Sequence, residues 1–285
     1  MLEKKYSVLM SVYNKEKPEY LHTSIESMLN QTLMPDEIVI VKDGKLTEEL
    51  DHVIDQFVNH YPNLFQVVTL EDNVGLGRAL DIGIEYCKNE LIARMDSDDI
   101  SLPERCEMQV NAFLENPRLS IIGTMMDEFY DEPSKIVSSR IVPTEHDEIV
   151  KYIKRRSPFN HPTVMFRKSE VVRCGGYGNL RRKQDLDLFS RMLNNNCIAA
   201  NIDKSLLLFR SNTDSFKRRK SWENCWSYIY VVYNIWKRGH CSLVDLTIVI
   251  MGQIFLFLAP MWLMRWVSNT FLRKKLAHNN RAHKR

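Results

Sequence analysis

A chain of 285 residues suits one sizeable α/β domain plus an appendage. With 26% charged and 44% hydrophobic residues it can build a real core, which excludes a disordered chain. The net charge of +3 hides an asymmetry: from Phe216 onward thirteen Lys/Arg face two acids, Glu223 and Asp245, so this part carries +11 and residues 1–215 carry −8. A basic tail on an acidic body points to an anionic partner, nucleic acid or lipid.

In chain order, Tyr6–Val12 reads as a strand ending at Tyr13-Asn14, not as a signal peptide. Leu21, Ile25, Met28 and Leu29 recur at helical spacing. Ile38-Val39-Ile40-Val41 is a β-branched run fit for a strand buried on both faces, stopped by Asp43-Gly44. A helix on Val53, Ile54, Phe57 and Val58 follows, then a strand at 65–70. Leu76, Leu80, Ile84 and Cys87 give another helix, and Leu91–Met95 a strand ending in acids. This βαβα order predicts a mainly parallel sheet with helices on both faces. Ligands of such sheets bind beyond the carboxyl ends of the strands, where Asn14, Asp43, Asp72-Asn73 and Asp96–Asp99 all fall. Region 117–180 is less regular, with strands at Ile121-Ile122 and Thr163–Phe166 and a Gly-rich turn at 175–178. A helix begins near 184. The six cysteines form no CxxC pair and read as reduced thiols.

Asp96-Ser97-Asp98-Asp99 sets three carboxylates within four residues. Crowded carboxylates repel and are stable together around a cation, and oxygen ligands suit Mg2+ or Mn2+. The competing reading is an acidic loop before a helix starting near Pro103 and capped by Ser101. Asn73-Val74-Gly75-Leu76-Gly77-Arg78 lacks the third glycine of a dinucleotide loop and follows the wrong strand, so it argues against NAD. It reads either as a phosphate-contacting helix start or as a plain one.

Five ordered segments resemble glycosyltransferase family 2: Tyr6–Asn14, Ser27–Thr32, Asp36–Gly44, Asn73–Gly75 and Met95–Asp99. Lys15–Leu21 and Asn160–Thr163 are similar to the subset that builds bacterial O-antigens and exopolysaccharides such as amylovoran. The resemblance implies a GT-A fold, an inverting mechanism and a UDP-sugar donor. It implies that Asp43 and the Val12, Tyr13, Asn14 segment hold the nucleoside, with the Asn73 motif nearby; Arg78, on the phosphate-contacting reading of that helix start, is a further donor contact. Asp96 and Asp98 match the family's DxD pair for ribose and Mn2+ (or Mg2+), and Asp99 is an additional metal ligand. The family's Glu-Asp pair reads Gln184-Asp185 here. Asp185 is therefore the expected general base and Asp187 its fallback, while the missing Glu leaves its supporting role unfilled. His161 before Pro162 is a structural or acceptor-contacting group. Arg181-Arg182-Lys183 either attracts a lipid diphosphate or is a solvated turn.

Residues 1–212 are expected to form the GT-A catalytic domain and 213–285 a helical membrane-associating region. Lys217–Lys220 opens an aromatic helix with Trp222, Trp226, Tyr230, Tyr233 and Trp236. Leu246–Met264 then runs 19 residues without a charge before a basic tail. Positive flanks on both sides and Pro260 favour an interfacial or re-entrant segment over a span, with a buried core or oligomer helix as the third reading. Anionic inner-membrane lipid is thus the expected partner of this tail, and no nucleic acid is. The resulting expectation is a hexosyltransferase at the cytoplasmic face of the bacterial inner membrane. It would move galactose or glucose from UDP, in β-1,3 linkage, to an undecaprenyl-diphosphate-linked GlcNAc or GalNAc. A polyprenyl-phosphate glycosyltransferase and a non-catalytic nucleotide-sugar-binding module are the alternatives.

Overall fold

The computed structural model describes residues 4–211 and 221–260. The expected domain boundary at 212/213, the basic cluster 217–220, the end of the uncharged run and the basic tail lie outside the described residues.

The first half folds as the apolar pattern predicts. Its elements are β1 (Tyr6–Val12), α1 (Pro18–Leu29), β2 (Glu37–Lys42), α2 (Glu48–His60), β3 (Phe65–Thr69), α3 (Leu76–Tyr86) and β4 (Leu91–Asp96). The four strands are parallel in the order β3-β2-β1-β4. Strand β2 shows why a β-branched run belongs here. Ile38 and Ile40 enter the core on one face, Val39 and Val41 the core on the other, and all four are fully buried. Side chains alternate across a strand, so only an apolar run serves two cores. Each such burial contributes about 1.5–3 kcal/mol. Register aligns the strand ends: Ser11 lies opposite Asp96 on one side and Val41 on the other, and Val12 opposite Lys42. The segments that follow these strands therefore emerge on one rim.

The second half is mixed rather than parallel. It contains β5 (Ile100–Ser101), α4 (Arg105–Glu115), β6 (Leu119–Phe129), β7 (Ile136–Arg140), α5 (His146–Tyr152), β8 (Met165–Arg167), α6 (Lys168–Arg173), α7 (Gln184–Asn194) and β9 (Ile198–Arg210). The sheet continues from β4 through β8, β6 and β9 to β5, with β7 on β6. Strand β8 runs antiparallel to both β4 and β6, whereas β6 and β9 are parallel. Helix α4 starts at Arg105, and Ser101 lies in β5 instead of capping it. Helices α1, α2 and α4 cover one face; α3, α5, α6 and α7 cover the other.

Two further helices, α8 (Trp222–Lys237) and α9 (Leu243–Leu258), form a hairpin on that second face. Ser221 caps α8, and Ser242 with Asp245 makes a capping box on α9. Val231, Val232, Ile235, Leu246 and Val249 join the core that includes Leu188 and Phe189 of α7. Arg155 pairs with Asp245 at 2.6 Å, and Arg238 with Asp187 at 3.0 Å. Among the described residues no helix is long and apolar enough to cross a membrane.

Candidate active site

A cleft of about 780 Å³ opens at the rim where the parallel strands end. It has the size of a small-ligand site. Ser11 and Tyr13 line it from β1, while Val12 points into the core and Asn14 does not line it. The two-residue period of the strand makes this selection. Asp43, Asn73 and Gly75 line the next wall, followed by Asp96, Ser97 and Asp98.

Asp43 is nearly fully buried and bound by the loop opposite it. Val74 and Gly75 donate their backbone N–H groups to its carboxylate at 2.7 and 3.1 Å, and Asn73 Nδ2 donates at 3.0 Å. Burial raises the Asp43 pKa, opposed by those backbone donors. Asp43 thus fastens the Asn73–Gly75 turn to β2. Gly44 permits the close approach: its φ is +83°, and a Cβ there would lie 2.8 Å from the Asn73 backbone nitrogen. Arg78 faces outward on α3, paired with Asp81 at 3.1 Å, and does not line the cleft.

Asp96, Asp98 and Asp99 converge. One carboxylate oxygen from each lies within 4.8 Å of the others. Arg94, almost wholly buried on β4, forms an ion pair with Asp96. Burial, Asp96 and Glu16 push the Asp98 carboxyl up to about 7. Asp99 is fully buried, and burial followed by Asp98 and Asp96 drives its pKa well up. One Asp99 oxygen accepts from the Arg210 backbone N–H at 2.8 Å, and the other has no hydrogen-bond partner. An orphaned buried carboxylate oxygen beside two more carboxylates fits a hard divalent cation. The three acids thus have the donor set and the spacing for Mg2+ or Mn2+.

The triad is held by side chains from distant segments. Ser24 Oγ donates to the Asp96 carbonyl at 2.7 Å, and Ser27 Oγ accepts from the Ser101 N–H at 3.0 Å. Gln31 Nε2 donates to Ser101 Oγ and to the Leu102 carbonyl, each at 3.0 Å, and its Oε1 accepts from the Cys106 N–H. The polar face of α1 is thereby a clamp on residues 96–106. On the far wall, Arg210 donates to the Asp98 carbonyl at 3.0 Å and stacks on Tyr20 at 3.9 Å. Sequence reasoning missed Arg210, Ser211, Tyr20 and Glu16, all of which line the cleft. The alternation of Ser7 and Ser11 with buried apolar residues was the one available signal, and it points to Ser11.

Asp185 sits half-buried in the first turn of α7, where a helix N-terminus favours a negative charge. It does not line the cleft as drawn by the lining residues, but Arg181 and Arg182 just before it do. No ion pair engages Asp185 among the described residues. The fallback, Asp187, is tied to Arg191 at 2.9 Å and to Arg238. Burial above all raises the Tyr177 phenol's pKa, with Arg94 opposing and Asp185 adding to the rise. His161 Nε2 meets the Tyr177 hydroxyl at 2.8 Å, and burial lowers its pKa well below the ordinary value, which keeps it neutral. Gly77 of α3 leaves room for Gln184, since a Cβ there would lie 2.9 Å from Gln184 Cγ. The Oε1 of Gln184 is buried without a partner.

The sequence profile of Glycosyl transferase family 2 matches residues 7–176. The chain is 36% identical over 272 residues to an Escherichia coli UDP-Gal:alpha-D-GlcNAc-diphosphoundecaprenol beta-1,3-galactosyltransferase, covering 95% of this chain and 98% of that one. It is 39% identical over 217 residues to the amylovoran biosynthesis glycosyltransferase AmsE of Erwinia amylovora, covering 76% and 80% of the two chains. Its fold is that of the Pyrobaculum calidifontis mannosyltransferase PcManGT, solved in complex with GDP-Man and Mn2+. The TM-score is 0.62 at 13% identity, over 90% of this chain and 70% of that one. The mixed sheet with flanking helices is the GT-A fold expected from the sequence.

Proposed function

The chain belongs to glycosyl transferase family 2, and from that premise we propose that it transfers a hexose, galactose first among candidates, from a UDP-sugar to a sugar carried on undecaprenyl diphosphate. The observation that carries this reading is the cleft itself: Asp96 and Asp98 line it at the end of β4 with buried Asp99 converging on them, and Asp43 and Tyr13 line the neighbouring wall. The E. coli relative, similar over nearly its whole length, supports the donor, the β-1,3 linkage and the GlcNAc acceptor.

Asp43, Tyr13 and Asn73 would bound the nucleoside. Asp96, Asp98 and Asp99 would hold Mn2+ or Mg2+, which supplies positive charge against the diphosphate leaving group. Asp185 is the general base. It takes the proton from the acceptor hydroxyl as that oxygen bonds to C1 of the sugar and the C1–O bond to UDP breaks. Among the described residues no ion pair ties Asp185 down, which suits it to this role, whereas Asp187 is held by two arginines. Arg181 and Arg182 at the cleft rim give an acceptor diphosphate cationic partners. The work takes place at the cytoplasmic face of the inner membrane, where such an acceptor is found.

The test is transfer of sugar from UDP-galactose to synthetic GlcNAc-diphosphoundecaprenol, with the product's anomeric configuration read by NMR. A β-linked product is expected, and Asp185→Asn should lower kcat by about 10²–10⁴-fold while UDP still binds. An α-linked product, or an Asp185→Asn enzyme with full turnover, overturns the reading.

A further inference from the structure

The hairpin of α8 and α9 leaves an apolar face without a partner among the described residues. On α8 the exposed large apolar positions are Trp222, Trp226, Tyr230, Tyr233 and Trp236, spaced by three and four along one stripe. On α9 they are Leu243, Val244, Ile248, Met251, Ile254, Phe255, Phe257 and Leu258, a band broader than one stripe. Trp226 is 57% exposed and Met251 62%, so these faces are not grooves filled by the body. The exposed faces of the two helices meet where Trp222 contacts Phe257 edge-on at 5.4 Å. Large exposed apolar patches on a soluble fold mark an interaction surface.

Charge and chain continuity identify what covers it. The hairpin's two described acids are both neutralised by arginines of the body: Glu223 faces Arg181 and Arg182 at 3.3 and 3.4 Å, and Asp245 faces Arg155. The face therefore presents Trp, Tyr and aliphatic groups with no unpaired negative charge, in a stretch that carries +11 from Phe216 to the end. Beyond Leu258 the chain continues as Ala-Pro-Met-Trp-Leu-Met before the cations resume at Arg265. Helix α9 has 16 residues, about 24 Å, short of the roughly 30 Å hydrocarbon core. Amphipathic aromatic helices of this length with basic flanks lie in the headgroup boundary and do not cross it.

We propose that the outer face of the α8–α9 hairpin is a docking surface for an anionic lipid bilayer, on which the hairpin lies flat. This deepens the membrane location within the proposed function and rests on it in one respect, the acceptor. Trp222 of this face adjoins Glu223, and Glu223 holds the Arg181–Arg182 rim of the cleft. Docking thus sets that rim at headgroup height, where a lipid-linked diphosphate lies.

The experiment is flotation of the full chain with vesicles of phosphatidylethanolamine and phosphatidylglycerol, against vesicles of phosphatidylcholine alone. The chain should float with the anionic vesicles and much less with the zwitterionic ones. A variant combining Trp226→Ser, Tyr230→Ser and Met251→Ser should partition at least about tenfold more weakly, with unchanged UDP binding and melting temperature. Three results overturn the proposal: a native chain that stays unbound, a variant that floats like the native chain, so that residues beyond the hairpin suffice, and a lipid-free dimer that the variant dissociates, so that a second copy covers the face. A native chain that binds UDP and transfers sugar but does not float refutes this surface alone. Intact docking without transfer refutes the catalytic reading alone.

Discussion

At the scale of single residues the decisive group is Asp98. Its carboxyl sits at about 7 because burial and Asp96 disfavour its charge. The unfolded chain releases this proton near the ordinary aspartate value of 3.8, so between about pH 4 and pH 7 the group costs the unliganded fold stability as pH rises. A metal ion takes the place of that proton, and coordination requires the ionised form. Mn2+ should therefore raise the melting temperature only slightly at pH 6 and clearly more at pH 8, measured by calorimetry at fixed metal concentration. An equal rise at both pH values would show that the proton on Asp98 and the cation do not compete. Arg94, buried beneath Asp96 and ion-paired with it, sets a fixed positive charge beside the crowded carboxylates.

At the scale of elements, the site depends on how α1 grips the loop after β4. Gln31 is buried and joins four groups of that loop and of α1 itself: the Ser27 carbonyl, Ser101 Oγ, the Leu102 carbonyl and the Cys106 N–H. Truncation leaves buried polar partners unmade, which costs about 1–3 kcal/mol. Gln31→Ala should lower stability in a urea melt by that amount and weaken Mn2+ binding as well, because the loop it releases carries Asp96, Asp98 and Asp99. Unchanged metal affinity in a destabilised variant would confine α1 to packing. The Ser27–Thr32 segment was visible in the sequence as part of a family resemblance, but its role as a clamp was not, since hydrogen bonds between segments 70 or more residues apart leave no periodic trace. Strand β9 was hidden for a related reason. Its Asn201, Asp203 and Lys204 split it and leave only the short run Leu206–Phe209, which the sequence reading did not single out, so Arg210 and Ser211 just after that run went unseen as walls of the cleft. The Val12–Asn14 segment shows the finer limit. The resemblance selects a segment, but the alternation of the strand selects Ser11 and Tyr13 within it.

For the whole molecule, one sheet carries two kinds of order. The half built from β3, β2, β1 and β4 is parallel and its strand ends gather the acids. The half from β8 to β5 is mixed and folds β9 back over them. The parallel half was legible because burial on both faces forces continuous apolar runs, and runs of that kind end at the rim where the polar residues stand. The mixed half was not, because its pairing depends on long returns of the chain. The helical hairpin adds a second surface to the same body, sharing its core on one side and leaving an aromatic face on the other. The central claim remains that the acids of the rim gather a cation which holds a nucleotide's diphosphate. Isothermal titration of UDP into the chain, with Mn2+ or with EDTA, tests it directly in the native protein and in Asp98→Ala. The account predicts binding by the native chain with Mn2+, little or none with EDTA, and loss of the metal-dependent part in Asp98→Ala. Equal UDP affinity in all of these conditions would contradict it.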